Sequence, residues 1–195
     1  MKEEIYKVKF IGRRPLMFDQ YLGNESKAEW TEKLYITKEG NVCFPAINLF
    51  GFLCSENSKN AVKMLHGKKA APIVQSLSVN VRIAEQYILI KGVDQKQLTV
   101  SDIASNTNLA GQITKHIAVA RIKKTASTIV PNPKERPVIA LPWSMEFEIG
   151  FIPDSNCRSS TLEEIFRFGG SRCGIGTFRP FFGTFDTEMI PVSVN

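Results

Sequence analysis

The chain has 195 residues, 43% hydrophobic and 23% charged, enough for one domain with a real core and space for a sizeable insertion. No apolar run is long enough to cross a bilayer, and the start, MKEEIYKVKF, lacks the hydrophobic stretch of a signal peptide; a cytoplasmic protein with no membrane partner is expected. Lysine and arginine outnumber the acids 25 to 19, a net charge of +6 that favours a polyanionic partner.

Cys43, Cys54, Cys157 and Cys173 form no CxxC pair, and His66 and His116 lie far apart, which argues against a zinc site. In a reducing compartment the cysteines read as free thiols, Cys43 and Cys54 as buried small hydrophobes and Cys173 as exposed in a loop.

Residues 5–11 (IYKVKFI) alternate and predict a first strand, ended by Gly12-Arg13-Arg14-Pro15. A polar stretch follows through Trp30. Residues 34–44 (LYITKEGNVCF) read as a short hairpin turning at Glu39-Gly40-Asn41. Pro45 suits the first turn of a helix, with Ile47, Leu49, Phe50, Phe52 and Leu53 as its apolar face, and residues 58–66 continue it. His66, at that helix end, reads as a capping cation rather than a catalyst. After the basic turn Gly67-Lys68-Lys69, the β-branched runs at residues 73–83 and 86–90 predict strands.

Residues 93–142 differ from the rest. Lys115, His116, Arg121, Lys123, Lys124, Lys134 and Arg136 are interleaved with Ile113, Ile117, Val119 and Ile122, and the segment ends in the proline-rich PNPKERP. It reads as an inserted basic arm, a long hairpin or mobile extension beside the core, with a solvated charged face as the plainer alternative.

Residues 143–151 (WSMEFEIGF) alternate strictly and predict a strand. The next helix can be capped by Ser159, Ser160 or Thr161, carries Glu163 and Glu164 in its first turn, buries Leu162, Ile165, Phe166 and Phe168, and stops at Gly169-Gly170. A last strand is expected from near Phe178 towards Val192.

Between them, residues 168–185 (FGGSRCGIGTFRPFFGTF) mix glycines, arginines and phenylalanines. Glycine lets backbone approach a ligand, arginine supplies forked donors for phosphate, and exposed aromatic rings stack on bases. Arg172, Gly174, Gly176 and Arg179 are therefore candidate nucleic-acid contacts, joined by Lys115, His116, Arg121, Lys123 and Lys124 of the arm. Phe178, Phe181, Phe182 and Phe185 are candidates for a stacking platform. The plainer alternative is a glycine-rich turn with core phenylalanines. Gly174-Ile175-Gly176 is not a dinucleotide fingerprint, because it follows a helix and opens a strand.

This order predicts an α+β chain with a ferredoxin-like, RRM-like antiparallel sheet backed by two helices, one domain over residues 1–195. At three places the chain resembles the RAMP superfamily of CRISPR-associated RNA-binding proteins and their small phage or prophage relatives. They are the strand exit Ile11-Gly12-Arg13-Arg14-Pro15-Leu16-Met17, the helix entry Phe44-Pro45-Ala46-Ile47-Asn48-Leu49-Phe50-Gly51, and the loop Gly174-Ile175-Gly176-Thr177-Phe178-Arg179-Pro180-Phe181-Phe182-Gly183-Thr184-Phe185. Asn48 and Phe52 stand where the family more often carries polar residues.

The loop and the arm point to a non-catalytic protein that holds single-stranded RNA or DNA along a basic groove between them, reading backbone more than bases, and with the resemblance RNA is the expected strand. The resemblance also implies assembly with other effector subunits or with copies of itself in a filament. A metal-independent endoribonuclease would need an acid and a base beside a 2′-OH, and His116 next to Lys115 is its candidate. A phage protein that occupies a nucleoprotein assembly is the third reading. No hydrolase, zincin or phosphate-loop signature appears, so no catalytic residue, cofactor or metal is assigned.

Overall fold

Strict alternation decides the centre of the molecule: strands with every second residue apolar pair face to face and leave one side for helices to cover. The computed structural model describes residues 2–23, 28–55, 60–105, 110–123 and 129–192, and side chains for all of these except residues 118–123 and 129–132. In chain order the elements are β1 (Glu4–Gly12), β2 (Leu16–Met17), β3 (Cys43–Pro45), α1 (Ala46–Cys54), α2 (Ala61–His66), α3 (Ala70–Asn80), β4 (Val81–Ile83), β5 (Tyr87–Lys91), β6 (Ile113–Lys123), β7 (Ile129–Ile139), β8 (Ser144–Phe151), α4 (Ser159–Arg172) and β9 (Phe185–Pro191).

The main sheet runs β3-β5-β8-β1-β9, with β4 also on β8, and its pairs are antiparallel. With β4 and β5 together as the second strand, this is the fourth-first-third-second order of a βαββαβ ferredoxin-like fold. Val8 faces Phe147 and Phe10 faces Met145 across β1 and β8, all four buried under the helices. Phe10 stacks on Phe185 at 3.9 Å between ring centroids, and Phe166 of α4 closes over it at 5.6 Å.

The opposite face of β1 and β8 carries Lys7 against Glu148 and Lys9 against Glu146. Burial alone would push the Glu146 carboxyl up, but hydrogen bonds and charge from Lys9 and Lys91 hold it below its usual value. The sheet's open face is thus a charge ladder there, not an aromatic platform.

A smaller sheet, β2-β7-β6, ties the long hairpin to the chain just after β1, through Leu16 opposite Ile139 and Met17 opposite Val138. Ile113, Val138 and Ile139 are buried, so the base of this hairpin belongs to the core.

Several expectations are corrected. Most of residues 73–83 is not strand: α3 takes Ala70–Asn80, because Ala70, Ile73, Val74 and Leu77 share one helical face against the core, and only Val81–Ile83 remains extended. The first crossover is three helices in series; Pro45 stands just before α1 with no capping bond, rather than in its first turn, and Ile47 points to solvent at 72% exposure while Leu49, Phe52 and Leu53 are buried. The expected helical start at residues 58–59 lies outside the described residues, and Asn60 caps α2 by accepting from the Lys63 N–H. Helix α4 is preceded by Arg158, and no side-chain cap bond forms there.

That helix also does not stop at Gly169-Gly170. A Cβ on Gly169 would lie 2.4 Å from Phe52 Cζ and one on Gly170 2.6 Å from the Phe185 carbonyl oxygen, so both glycines serve close packing inside the helix. It ends two residues later, where Gly174, at φ +73°, donates its N–H back to the Gly169 carbonyl. The last strand starts at Phe185 rather than near Phe178.

Cys173 is buried, not exposed in a loop, and burial raises its thiol pKa against the opposing charge of Arg179. Burial pushes Cys43 and Cys54 up to about 11 and Cys157 to about 12. The unfolded chain ionises these thiols near 9.0 while the folded chain keeps them protonated. Their contribution to stability is therefore complete below about pH 9 and falls as pH rises towards 11. Denaturant midpoints at rising pH should drop more steeply for the wild type than for Cys43→Ala/Cys157→Ala; parallel curves would contradict this.

Candidate nucleic-acid interface

The turn after β1 is fixed by a bare backbone. A Cβ on Gly12 would lie 2.4 Å from the Trp143 ring, so the indole packs flat on the glycine, and its Nε1–H donates to the Arg14 carbonyl at 2.8 Å. The N–H groups of Arg13 and Arg14 both donate to the Thr184 carbonyl, at 2.8 and 3.3 Å. The turn is thereby bound to the end of the glycine-rich loop, about 170 residues away in sequence.

Arg172 arrives from the last turn of α4, where a cation suits the negative end of the helix. Arg13, Arg14 and Arg172 line one open cleft of about 750 Å³ with Ser171, Pro180 and Thr184. Arg14 Nη1 donates to the Pro180 carbonyl at 3.1 Å, and Arg13 makes an exposed ion pair with Asp186 at 3.5 Å. Three guanidinium groups on one cleft supply forked donors of the kind that suits an anion.

The loop itself is folded tightly on its neighbours. Gly174, Gly176 and Gly183 all have positive φ, and a Cβ on Gly183 would lie 1.9 Å from the Ile175 carbonyl oxygen, on Gly176 2.4 Å from that of Met17. The N–H groups of Ile175, Thr177 and Gly183 donate to the carbonyls of Gly183, Met17 and Pro15. The glycines thus have a reason within the chain, and Gly174 is buried.

The four phenylalanines do not alternate as strand residues, because residues 178–184 are bend, turn and irregular backbone and the strand starts only at Phe185. Phe185 is core, Phe181 is 77% exposed, and Phe178 sits at φ +55°, rare for a bulky side chain, with the Arg136 guanidinium 4.9 Å from its ring centroid. Arg136 is itself buried, donates to Asp19 at 2.7 Å, and has Nε and Nη1 without hydrogen-bond partners among the described residues. Phe182 meets the His116 ring at 5.4 Å. Loop and hairpin are therefore joined by two ring contacts.

Of the candidates on the arm, Lys115 is half-exposed and paired with Glu135 at 3.0 Å, and His116 is exposed against Phe182. Arg121 and Lys123 lie on β6, and Lys124 lies outside the described residues. Arg179 does not join Arg172. It folds over the far side of the loop, with Nη1 3.4 Å from the Gly174 carbonyl and 3.8 Å from Cys173 Sγ. There it borders a groove of about 370 Å³ between the loop and α1, lined also by Asp19, Tyr35, Asn48, Gly51 and Thr177. Sequence reasoning named Arg13 and Arg14 only as a strand exit; two adjacent arginines in a Gly–Pro-bounded turn were the available signal.

Among the described residues no group of three or more histidines, cysteines or acids could hold a metal ion, and no helix is long and apolar enough to cross a membrane. No protein-family model matches the chain. No curated protein sequence matches it either. Among solved structures, it is similar to a chain in the cryo-EM structure of the Type III-B Cmr-beta complex bound to cognate target RNA, with a TM-score of 0.60 at 13% identity. The match covers 97% of this chain and 61% of that one, so this chain spans less than two thirds of the length of its structural neighbour. At that identity the likeness shows a shared α+β fold, here with three arginines gathered on the cleft where β1 ends and α4 meets the glycine-rich loop.

Proposed function

We propose that this chain is a non-catalytic protein that binds single-stranded nucleic acid, with RNA as the expected strand, as a subunit of a CRISPR-type effector assembly. In this reading residues 1–195 are one RAMP-like domain, residues 93–142 are its inserted basic arm, and the partners are the strand and other effector subunits or copies of the chain. The observation that carries it is the convergence of Arg13, Arg14 and Arg172 on one open cleft. Phosphates are spaced along a flexible strand, so a cleft lined by fixed guanidinium groups holds the backbone without reading sequence. The loop from Pro180 to Phe182 links that cleft to Lys115 and His116, which gives the strand a continuous path onto the arm.

The cleft side of the molecule is favoured over the sheet's open face, since RRM-type binding needs aromatic rings on the central strands and β1 and β8 present lysine and glutamate there. The test is a titration of labelled single-stranded RNA and DNA at low salt, with the strands examined afterwards on a denaturing gel. Retarded, intact strands are expected; no interaction at low salt would refute the reading.

His116 is the one acid–base candidate, and its ring is engaged by Phe182. His116→Ala should weaken strand binding by no more than about tenfold, the loss of one stacking or phosphate contact, and should alter no cleavage. Cutting of RNA by the wild type without added metal, abolished in His116→Ala at equal binding, would establish the endoribonuclease instead.

A further inference from the structure

We propose that Arg136 is a positioning residue for the strand: from inside the molecule it locks the glycine-rich loop in the shape that aims Arg14 into the cleft, an inference that rests on the function proposed above. The first observation is the state of Arg136 itself. Its side chain is 5% exposed and its Nη2 donates to Asp19 Oδ2 at 2.7 Å, while Nε and Nη1 are buried without a hydrogen-bond partner among the described residues. A buried guanidinium with orphaned donors weakens a fold relative to an apolar side chain of similar size, so stability does not account for it. Its burial also keeps it out of reach of a bound strand.

The second observation is what the guanidinium touches. It lies over the Phe178 ring, 4.9 Å from its centroid, and Phe178 is held at φ +55°. A bulky residue leaves that left-handed conformation unless its surroundings hold it there. The cation over the ring is that hold, anchored by Asp19 on one side and by its own place in β7 on the other. From Phe178 the constraint runs outward. The Phe178 carbonyl accepts from the Phe182 N–H at 3.3 Å, closing the turn that carries Pro180, and the Pro180 carbonyl accepts from Arg14 Nη1 at 3.1 Å. The same turn sets Phe182 against His116, the residue opposite Arg136 across β6 and β7, and leaves Phe181 exposed. Arg136 thus acts on the cleft without touching it, and a guanidinium already fixed by the loop loses less freedom when a phosphate arrives.

The experiment measures single-stranded RNA affinity, melting temperature and amide hydrogen exchange in the wild type, Arg136→Met, Phe178→Leu and the double variant. Arg136→Met should bind RNA about fivefold to tenfold more weakly, the loss of a preformed loop, while melting no lower than the wild type. Exchange of the Phe182 and Gly183 N–H groups should speed in the free Arg136→Met chain, and that of β1 and β8 should not. Phe178 is 37% exposed, so Phe178→Leu is an independent variant should Arg136→Met fold poorly. It should lose the same affinity, and the double variant should lose no more than either single one. Losses that add would mean that Phe178 meets the strand by itself and would overturn the inference. Unchanged affinity in Arg136→Met, or unchanged exchange in its loop, would overturn it too while leaving strand binding intact. A wild type that binds no strand at low salt would instead remove the proposed function, and this inference with it.

Discussion

Replacing Arg13, Arg14 and Arg172 together with alanine should weaken single-stranded RNA binding by about a hundredfold or more at moderate salt, each lost charge-assisted contact contributing 1–2 decades at most. The salt dependence should change with it. Each phosphate contact on a single strand contributes about 0.7 to the slope of log affinity against log salt, so three lost contacts should flatten it by about 2 units. The fold should survive, because all three side chains are exposed and Arg13 loses only a surface ion pair. Arg179→Ala should lower affinity less, since Arg179 lies across the loop from this cleft. An unchanged slope in the triple variant would mean that the strand runs elsewhere.

Phe185→Ala should destabilise the chain by about 3–5 kcal/mol and lower its melting temperature by roughly 10 °C. Its ring is fully buried, stacked on Phe10 and packed against Phe52 and Trp143, and no neighbour can collapse into the space without moving the sheet or α4. The site should suffer too, because Thr184 just before it holds the Arg13–Arg14 turn. Phe181→Ala, four positions earlier and 77% exposed, should change stability by no more than about 0.5 kcal/mol while weakening strand binding. Thermal unfolding and a binding titration on both variants separate the roles; equal effects of the two on stability would contradict the assignment.

These two phenylalanines also mark the limit of what the sequence made legible. Strands β1 and β8 could be read because period-two alternation leaves few other structures, and with α4 and the last strand they were enough for the ferredoxin-like order. Helix α3 could not, since Ile73, Val74, Val79 and Val81 favour strands locally and only burial of the Ala70–Leu77 face reveals the helix. Gly169 and Gly170 look like a helix stop in sequence, but Gly169 serves contacts with Phe52 and Ala61, far away along the chain, and Gly170 a contact with Phe185 beyond the loop. The same holds for the cleft. Arg172 could be picked out from its glycine-rich context, whereas Arg13 and Arg14 join it only because backbone bonds to Thr184 bring the two ends of the chain together.

The most direct test is to irradiate the complex of the chain with single-stranded RNA and map the cross-linked peptides by mass spectrometry. Cross-links should fall on residues 171–184 and on the segment around Lys115 and His116, the two walls of the proposed path. Cross-links confined to the lysine–glutamate face of β1 and β8 would contradict the account.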